Sequence, residues 1–161
     1  MNNTGERSGA ARALDACIAA ALASEGRPLS IYDYARETGI SARMLIHYFG
    51  SKAAIDTAVI ANVQDGLRAE VTRAIEKAKD RRLDRVFQTL AARNRQGVVP
   101  LLRFLLARSL SGDRSAVAAM RAQRLAWKQA FRGMLSVEEA RQAMILLEGS
   151  LIGLILDELK P

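Results

Sequence analysis

The chain has 161 residues, of which 50% are hydrophobic and only 5% are aromatic, and it carries a net charge of +7. This length allows one domain with a real core, or a small module joined to a helical body, but it excludes two large domains. Only three prolines are present, while Ala, Leu, Arg and Glu are abundant, so the composition predicts an all-α fold.

Two further features bear on location. The apolar stretches at residues 101–106 and 143–156 are shorter than the roughly 20 residues that a membrane-spanning helix needs. The first residues, MNNTGERSGAAR, lack the basic and then apolar segments typical of an export signal, and Cys17 has no second cysteine with which to pair. We therefore expect a cytoplasmic protein that does not associate with a membrane.

The positive charge is unevenly distributed along the chain. Residues 1–60 hold six basic and six acidic side chains, whereas residues 61–110 hold eleven basic and five acidic ones. A basic protein associates faster with nucleic acid, but a basic run on a helix is more often only a solvated surface. The charge is compatible with DNA binding without indicating which segment would bind.

The first predicted helix has its apolar residues on one face. Gly26 is placed to end this helix, with Pro28 just beyond it. Cys17 lies beside the apolar face, where we expect it to pack as a small apolar residue. The residues with the helical spacing are Leu14, Ile18, Ala21 and Leu22.

Two short helices follow. Ser30, with Asp33 three residues later, predicts a capping box that opens a second helix of about two turns, which Gly39 ends. Ser41 can cap a third helix through the amides of the first turn, and Gly50 ends it. Two short helices joined by a glycine turn are a known structural unit.

Longer helices are predicted in the remainder. A fourth helix has apolar residues at every fourth position, namely Ile55, Val59, Val63, Leu67, Val71 and Ile75. After the charged break at residues 77–82 we expect a helix around residues 83–90, then one with Pro100 in its first turn. The last two helices are expected to run from Arg114 to Leu135 and from Val137 to Leu159. Their boundary is a capping box of Ser136 and Glu139.

Several spaced residues between positions 30 and 55 form a longer motif. Ser30 is followed by the pair Tyr34-Ala35, by the turn Gly39-Ile40-Ser41, and by the aromatic-rich sequence HYFGSK at residues 47–52. This pattern resembles the DNA-binding signature of the TetR family of bacterial repressors. The resemblance covers roughly the first 65 residues, and beyond them it rests on the number of helices.

The resemblance implies a domain organisation. Residues 7–67 would form a three-helix DNA-binding domain whose helix-turn-helix spans residues 30–49. Residues 68–161 would form a helical bundle that binds a ligand and dimerises through the last two helices. It implies a dimeric repressor that binds a palindromic operator in double-stranded DNA and is released by a small-molecule inducer. No cofactor is implied.

The third helix is the expected reading element. A helix in the major groove presents its leading turn to the bases, while polar groups around it hold the phosphates. Arg43 can give a bidentate pair to guanine, and the small or apolar neighbours can touch a thymine methyl. The resemblance assigns the phosphate contacts to His47, Tyr48 and Lys52 and to the Ser30 end of the second helix. The leading turn comprises Ser41, Ala42, Arg43 and Met44.

The reading turn departs from the family pattern. Relatives often have a basic residue at position 42, Gly at 43, Thr at 44 and Tyr at 46, where this chain has Ala42, Arg43, Met44 and Ile46. An altered operator preference would leave this trace, and so would loss of DNA binding.

The C-terminal helices suggest further sites. The final helix is apolar on nearly all sides, with Gly149 and Gly153 one turn apart, which favours a homodimer contact. The helix from Arg114 carries a predicted apolar stripe, which Arg124 interrupts, and Glu148 interrupts the apolar final helix; the stripe comprises Val117, Met120, Trp127, Phe131 and Met134. Arg124 and Glu148 therefore either form a salt bridge or face an inducer cavity. By resemblance, that cavity would be lined by Phe87, Phe104 and Trp127.

Other functional classes fit the sequence less well. There is no nucleophile elbow, phosphate-binding glycine loop or metal-ligand cluster, and His47 is the single histidine, so we expect neither an enzyme nor a metal site. Two alternatives remain open. One is a helical interaction protein that no longer reads DNA, for which the neutral first 60 residues argue, and the other is a regulator without a ligand.

Overall fold

A computed structural model describes residues 3–77, 97–133 and 135–158. Within these ranges the chain forms seven helices and no strand, as the composition predicts. Among them, no helix is long and apolar enough to cross a membrane. The helix expected around residues 83–90 lies outside the described ranges. The helices are α1 (Asn3–Ala23), α2 (Ile31–Thr38), α3 (Ala42–Phe49), α4 (Lys52–Lys77), α5 (Val98–Leu110), α6 (Arg114–Arg132) and α7 (Val137–Glu158).

Helix α1 packs against α2, α3 and α4 through a row of small side chains. The larger residues that define the predicted face, Leu14, Ile18 and Leu22, are only partly buried and flank this row. Small residues at the contact let the helix backbones approach closely, so the larger ones are displaced to its edges. The fully buried row comprises Ala13, Cys17, Ala20 and Ala21.

Helix α4 connects the two ends of the molecule. It contacts α1 and α3 as well as α5 and α6, and the predicted domain boundary between residues 67 and 68 falls inside it. Where α5 crosses it, Gly66 brings the two helices close, because a Cβ atom there would lie 3.3 Å from Leu101 Cδ1. Its five apolar residues from Ile55 to Val71 in the predicted row are all fully buried.

The turns follow the predicted signals. Gly26 lies after α1 with a φ of +86°, and a Cβ there would lie only 2.5 Å from Ala107 Cβ. Glycine is therefore needed both for its backbone conformation and for the contact with α5. Pro100 lies in the first turn of α5, and Ser136 and Glu139 form the expected capping box before α7. Helix α6 ends at Arg132, three residues earlier than predicted.

The buried face of α6 differs from the predicted one. Residues Ala116, Ala119, Gln123, Trp127 and Phe131 are buried, while Arg124 is 70% exposed. Because 3.6 residues make one turn, the side chain four positions before Trp127 faces the same way. The polar residue on the apolar stripe is thus Gln123, and Arg124 lies on the surface. Met134, assigned to the same stripe, is outside the described residues.

Cys17 is fully buried in the α1 core, and burial raises the pKa of its thiol to about 11. Because the thiolate is the reactive form, we expect Cys17 in the folded protein to resist a disulfide reagent at pH 8. In denaturant the same thiol should react completely within minutes. Rapid labelling of the native protein would contradict this placement.

Candidate nucleic-acid interface

The N-terminus of α2 is closed by a capping box. The Ser30 amide donates to Asp33 Oδ2 at 2.9 Å, and the Asp33 amide donates to Ser30 Oγ at 3.1 Å. The hydrogen bond from the Ser30 amide, followed by that from its hydroxyl and the nearby Arg36 charge, lowers the pKa of Asp33. Ser30, the predicted phosphate contact, therefore shares this helix end with a carboxylate that Arg36 partly neutralises.

Tyr32 stands out on the first turn of α2. Its side chain is 76% exposed, although an aromatic ring usually gains from burial. Tyr32 is not among the contacts predicted from the motif, whereas its neighbour Tyr34 is buried. The Tyr32 hydroxyl can donate a hydrogen bond to an acceptor beside the Ser30 end.

A three-residue turn joins α2 to α3. Gly39 has a φ of +69°, which a residue without a Cβ adopts at no steric cost. Ser41 then caps α3, and its hydroxyl accepts a hydrogen bond from the Met44 amide at 3.3 Å. Leu45 is fully buried and fixes the rotation of α3 against the core.

The opposite face of α3 is exposed. Arg43 and His47 lie one turn apart on this face, and Met44 and Ile46 flank them, each 39% exposed. Ala42 is half-buried beside them. The face thus combines a guanidinium, an imidazole and two apolar side chains. Ile46 is an addition to the predicted set, and its exposure follows from the burial of Leu45.

Tyr48 and Lys52, two predicted phosphate contacts, have partners within the protein. Tyr48 is half-buried and packs against α1, where a Cβ atom on Gly9 would lie 3.0 Å from Tyr48 Oη. Its ring centroid lies 5.7 Å from that of His47. Lys52 Nζ lies 2.5 Å from Asp56 Oδ2, so a phosphate would compete with this carboxylate.

Asp56 is the centre of a polar network between α2, α4, α5 and α6. The Tyr34 hydroxyl donates to Asp56 Oδ1 at 3.1 Å, and Arg108 Nη2 lies 3.5 Å from Asp56 Oδ2. Burial, followed by the Asp56 charge, raises the pKa of Tyr34, so the hydroxyl remains a donor. Arg108, itself buried, also donates through Nε to Asp113, the N-cap of α6, at 3.0 Å. The network joins the α2–α3 region to the start of α6.

The candidate ligand residues do not come together at one cavity in the described part of the chain. Phe104 and Trp127 are buried in the core, whereas Arg124 and Glu148 form a surface ion pair, with Nε and Oε1 2.5 Å apart. This geometry favours the salt-bridge interpretation of that pair. Phe87 lies outside the described residues.

Two buried polar groups on α6 have no hydrogen-bond partner among the residues that the structure describes. They are the side-chain amide of Gln123 and the indole N–H of Trp127. They lie four residues apart on one face. Burying such groups without partners costs about 1–3 kcal/mol each, so native proteins usually satisfy them. They are the strongest sign of a missing hydrogen-bond partner in the core.

Comparison of the chain with protein-family models, with curated proteins and with solved structures finds no match. Across the described ranges, no group of His, Cys, Asp and Glu side chains is arranged to hold a metal ion. The functional assignment therefore depends on the geometry and on the motif at residues 30–55.

Proposed function

We propose that this protein is a TetR-like, sequence-specific DNA-binding regulator that acts as a dimeric repressor and is released from its operator by a small molecule. In this proposal α2, the glycine turn and α3 form the helix-turn-helix, and α3 enters the major groove. The observation that carries the proposal is the exposed face of α3, where Arg43 in the capped first turn and His47 in the next lie one turn apart.

The dimensions of α3 suit this role. Its eight residues give a length of about 12 Å at 1.5 Å per residue, and an α-helix with its side chains is about 10–12 Å across, which fits the major groove of about 12 Å. Arg43 would pair with a guanine edge, while Met44 and Ile46 would contact thymine methyl groups. Tyr32, Ser30 and His47 would hold the phosphates on either side.

A second candidate is a helical interaction protein without DNA-binding activity. It is favoured by the electrostatics of the same region, because Asp33 lies at the α2 end and Asp56 holds Lys52. The two candidates differ in salt dependence. A DNA-binding protein that contacts several phosphates loses affinity steeply as salt rises, through counterion release.

Titration of the protein against the intergenic DNA beside its own gene, at several salt concentrations, separates the two candidates. We expect saturable binding that weakens with salt and survives an excess of unrelated DNA. A folded dimer that binds neither the intergenic DNA nor the unrelated DNA would favour the interaction protein.

The orphaned groups of Gln123 and Trp127 support a ligand in the core of the C-terminal helices. An inducer with one acceptor and one amide-binding group would satisfy both.

We expect Gln123→Leu to raise the free energy of unfolding of the ligand-free protein by about 1 kcal/mol, because it removes an unsatisfied buried amide at similar volume. Gln129→Leu, at an exposed position of α6, is the matched control in urea unfolding. A clear loss of stability in Gln123→Leu would mean that the amide already has a partner.

The outer face of α7 supports the homodimer. Ile145, Ile152 and Leu156 are each more than half exposed, and a Cβ at Gly149 or Gly153 would meet nothing within 4 Å. An apolar stripe opposite the core, with glycines that allow close approach, suits a second copy of the same helix.

Ile152→Asp should therefore convert the dimer to a monomer, because it would bury a carboxylate in this seam. Sedimentation at micromolar concentration measures the change. Leu110→Asp, at another exposed apolar position but on α5, should leave the dimer intact. A wild-type monomer, or an unchanged Ile152→Asp dimer, would contradict this seam.

A further inference from the structure

The first turn of α3 offers few hydrogen bonds to a base edge. Ser41 Oγ accepts a hydrogen bond from the Met44 amide at 3.3 Å, so this hydroxyl is held against the helix backbone. Ala42 has no polar group in its side chain. Arg43 is thus the one side chain of this turn that can form a bidentate pair with a base. Most of the remaining selectivity of the turn rests with its apolar side chains.

Met44 and Ile46 flank Arg43 on opposite sides. Because an α-helix turns by about 100° per residue, Met44 lies about 100° to one side of Arg43 and Ile46 about 60° to the other. Both side chains are 39% exposed although they are large and apolar. Leu45 is fully buried and fixes this rotation from the core side. The outer face of α3 therefore presents a guanidinium between two apolar tips.

The major groove of DNA offers one alkyl group to such a face. The base edges there present hydrogen-bond donors and acceptors, and thymine adds its C5 methyl group. An apolar side chain against a polar edge displaces water without replacing its hydrogen bond, which costs free energy. The same side chain against a methyl group removes apolar surface from water on both partners. Exposed apolar tips in the groove therefore select thymine.

The geometry points to Met44 and Ile46 as residues that read thymine methyl groups on opposite strands, on either side of the guanine that Arg43 contacts. This readout rests on the proposed function and adds to it the base pairs that a half-site contains. The C5 edge of a pyrimidine faces the backbone of its own strand, so two side chains that diverge from Arg43 meet methyl groups of different strands.

The rise of α3 limits where the two thymines lie. Along the helix axis Met44 is about 1.5 Å beyond Arg43, and Ile46 is about 4.5 Å beyond it. For a helix that lies along the groove, where base pairs are about 3.4 Å apart, both thymines fall within about two base pairs of the guanine. The half-site is then one G·C pair among A·T pairs of both orientations.

The charge of the same face favours DNA over an apolar protein surface as the partner. Arg43 and His47 lie between the two apolar tips, and α3 contains no acidic residue. A dry apolar contact would bury both basic groups without a partner, which is costly. DNA supplies methyl groups and acceptor atoms within one groove, so it matches both parts of the face.

Substitution of deoxyuridine for thymine tests this readout, because it removes the methyl group and keeps the base pair. An operator duplex is first selected from random DNA with the full chain, and each thymine is then replaced in turn. We expect affinity to fall about fourfold at one thymine on each strand of a half-site, the effect of one buried methyl group. In a C·G pair at either position, 5-methylcytosine should bind about fourfold more tightly than cytosine.

Two variants connect each methyl group to its side chain. Ile46→Ala should bind the thymine and deoxyuridine duplexes equally at one position and keep the penalty at the other, and Met44→Ala should do the reverse. Leu110→Ala, at an exposed apolar position on α5, is the control and should keep both penalties. Since each comparison uses one variant on two duplexes, a general loss of affinity cancels.

The outcomes distinguish failure of this readout from failure of the proposed function. A protein that selects an operator but binds every deoxyuridine duplex as tightly as the parent would overturn the methyl readout alone. Penalties that persist in both variants would also overturn it, because the methyl group would then act through the shape of the DNA. If the folded dimer selects no duplex, the proposed function fails and the readout fails with it.

Discussion

Arg108→Met is expected to lower the free energy of unfolding by about 3 kcal/mol. The guanidinium is buried and bridges Asp56 on α4 to Asp113 at the start of α6. Methionine keeps much of the side-chain length but leaves both carboxylates without this partner, and breaking a buried ion pair is strongly destabilising. Urea unfolding followed by circular dichroism at pH 7 measures the loss.

The deficit of the variant should shrink in acid. Although burial acts to raise the pKa of Asp113, hydrogen bonds from the Ala116 amide and from Arg108 hold that pKa below its usual value. A carboxyl with a lowered pKa in the folded state stabilises the fold at neutral pH, and this contribution disappears as the pH falls below about 4. The wild type should therefore lose more stability than the variant in that window.

Arg103→Met is the matched control on the same helix. Arg103 pairs with Glu25, whose side chain is 67% exposed, so the loss should stay below about 1 kcal/mol. Equal effects of the two substitutions would contradict the central position of Arg108 in the network.

Arg43→Ala is expected to weaken operator binding by about 1 to 3 kcal/mol, which is roughly fivefold to 150-fold. The reason is the loss of a bidentate pair with one guanine, so preference at that single base position should relax as well. Folding should be unaffected, since Arg43 is exposed and no described side chain bonds to it. Fluorescence anisotropy on operator duplexes with each base substituted in turn measures both effects.

Arg68→Ala removes the same charge from α4, sixteen residues after its start and therefore about 24 Å along the helix. It should change affinity by less than about twofold. If the two variants lost affinity equally at every operator sequence, Arg43 would be acting through general charge and not through a base contact.

The local architecture of the first 77 residues follows closely from the sequence. Ser30 and Ser41 are caps with short polar side chains, and Gly39 allows a positive φ, so their chemistry defines the helix ends directly. In α4 the five residues of the apolar period from Ile55 to Val71 are all buried, and only Ile60 is buried between them without belonging to it. These features depend on nearest neighbours along the chain, which is why the sequence carries them.

Features that depend on distant segments were harder to predict. Arg108 is buried because two carboxylates, one 52 residues away in the chain, happen to face it. On α6, periodicity alone did not separate Gln123 from Arg124, because either residue fits near the edge of the apolar stripe. The choice depends on which neighbouring helix covers each position, and the sequence of α6 contains no such information.

Some residues of the candidate interface could likewise be predicted from the sequence, and others could not. The motif names Arg43, Met44 and His47, and the burial of Leu45 explains why they share an exposed face. Tyr32 was missed, and Ile46 was named only as a departure from the family pattern, since exposure of an apolar side chain is visible only once the core has been formed. The partner of Lys52 was also missed, although Asp56 is four residues away on a helix, a spacing that favours an ion pair.

The most direct test of the central claim is selection from a pool of random DNA duplexes with the purified full-length protein at physiological salt. The proposed function predicts enrichment of one sequence with two inverted half-sites, each containing a guanine whose replacement abolishes the advantage over unselected DNA. Enrichment of no sequence by a protein that is folded and dimeric would contradict the claim that α3 reads DNA.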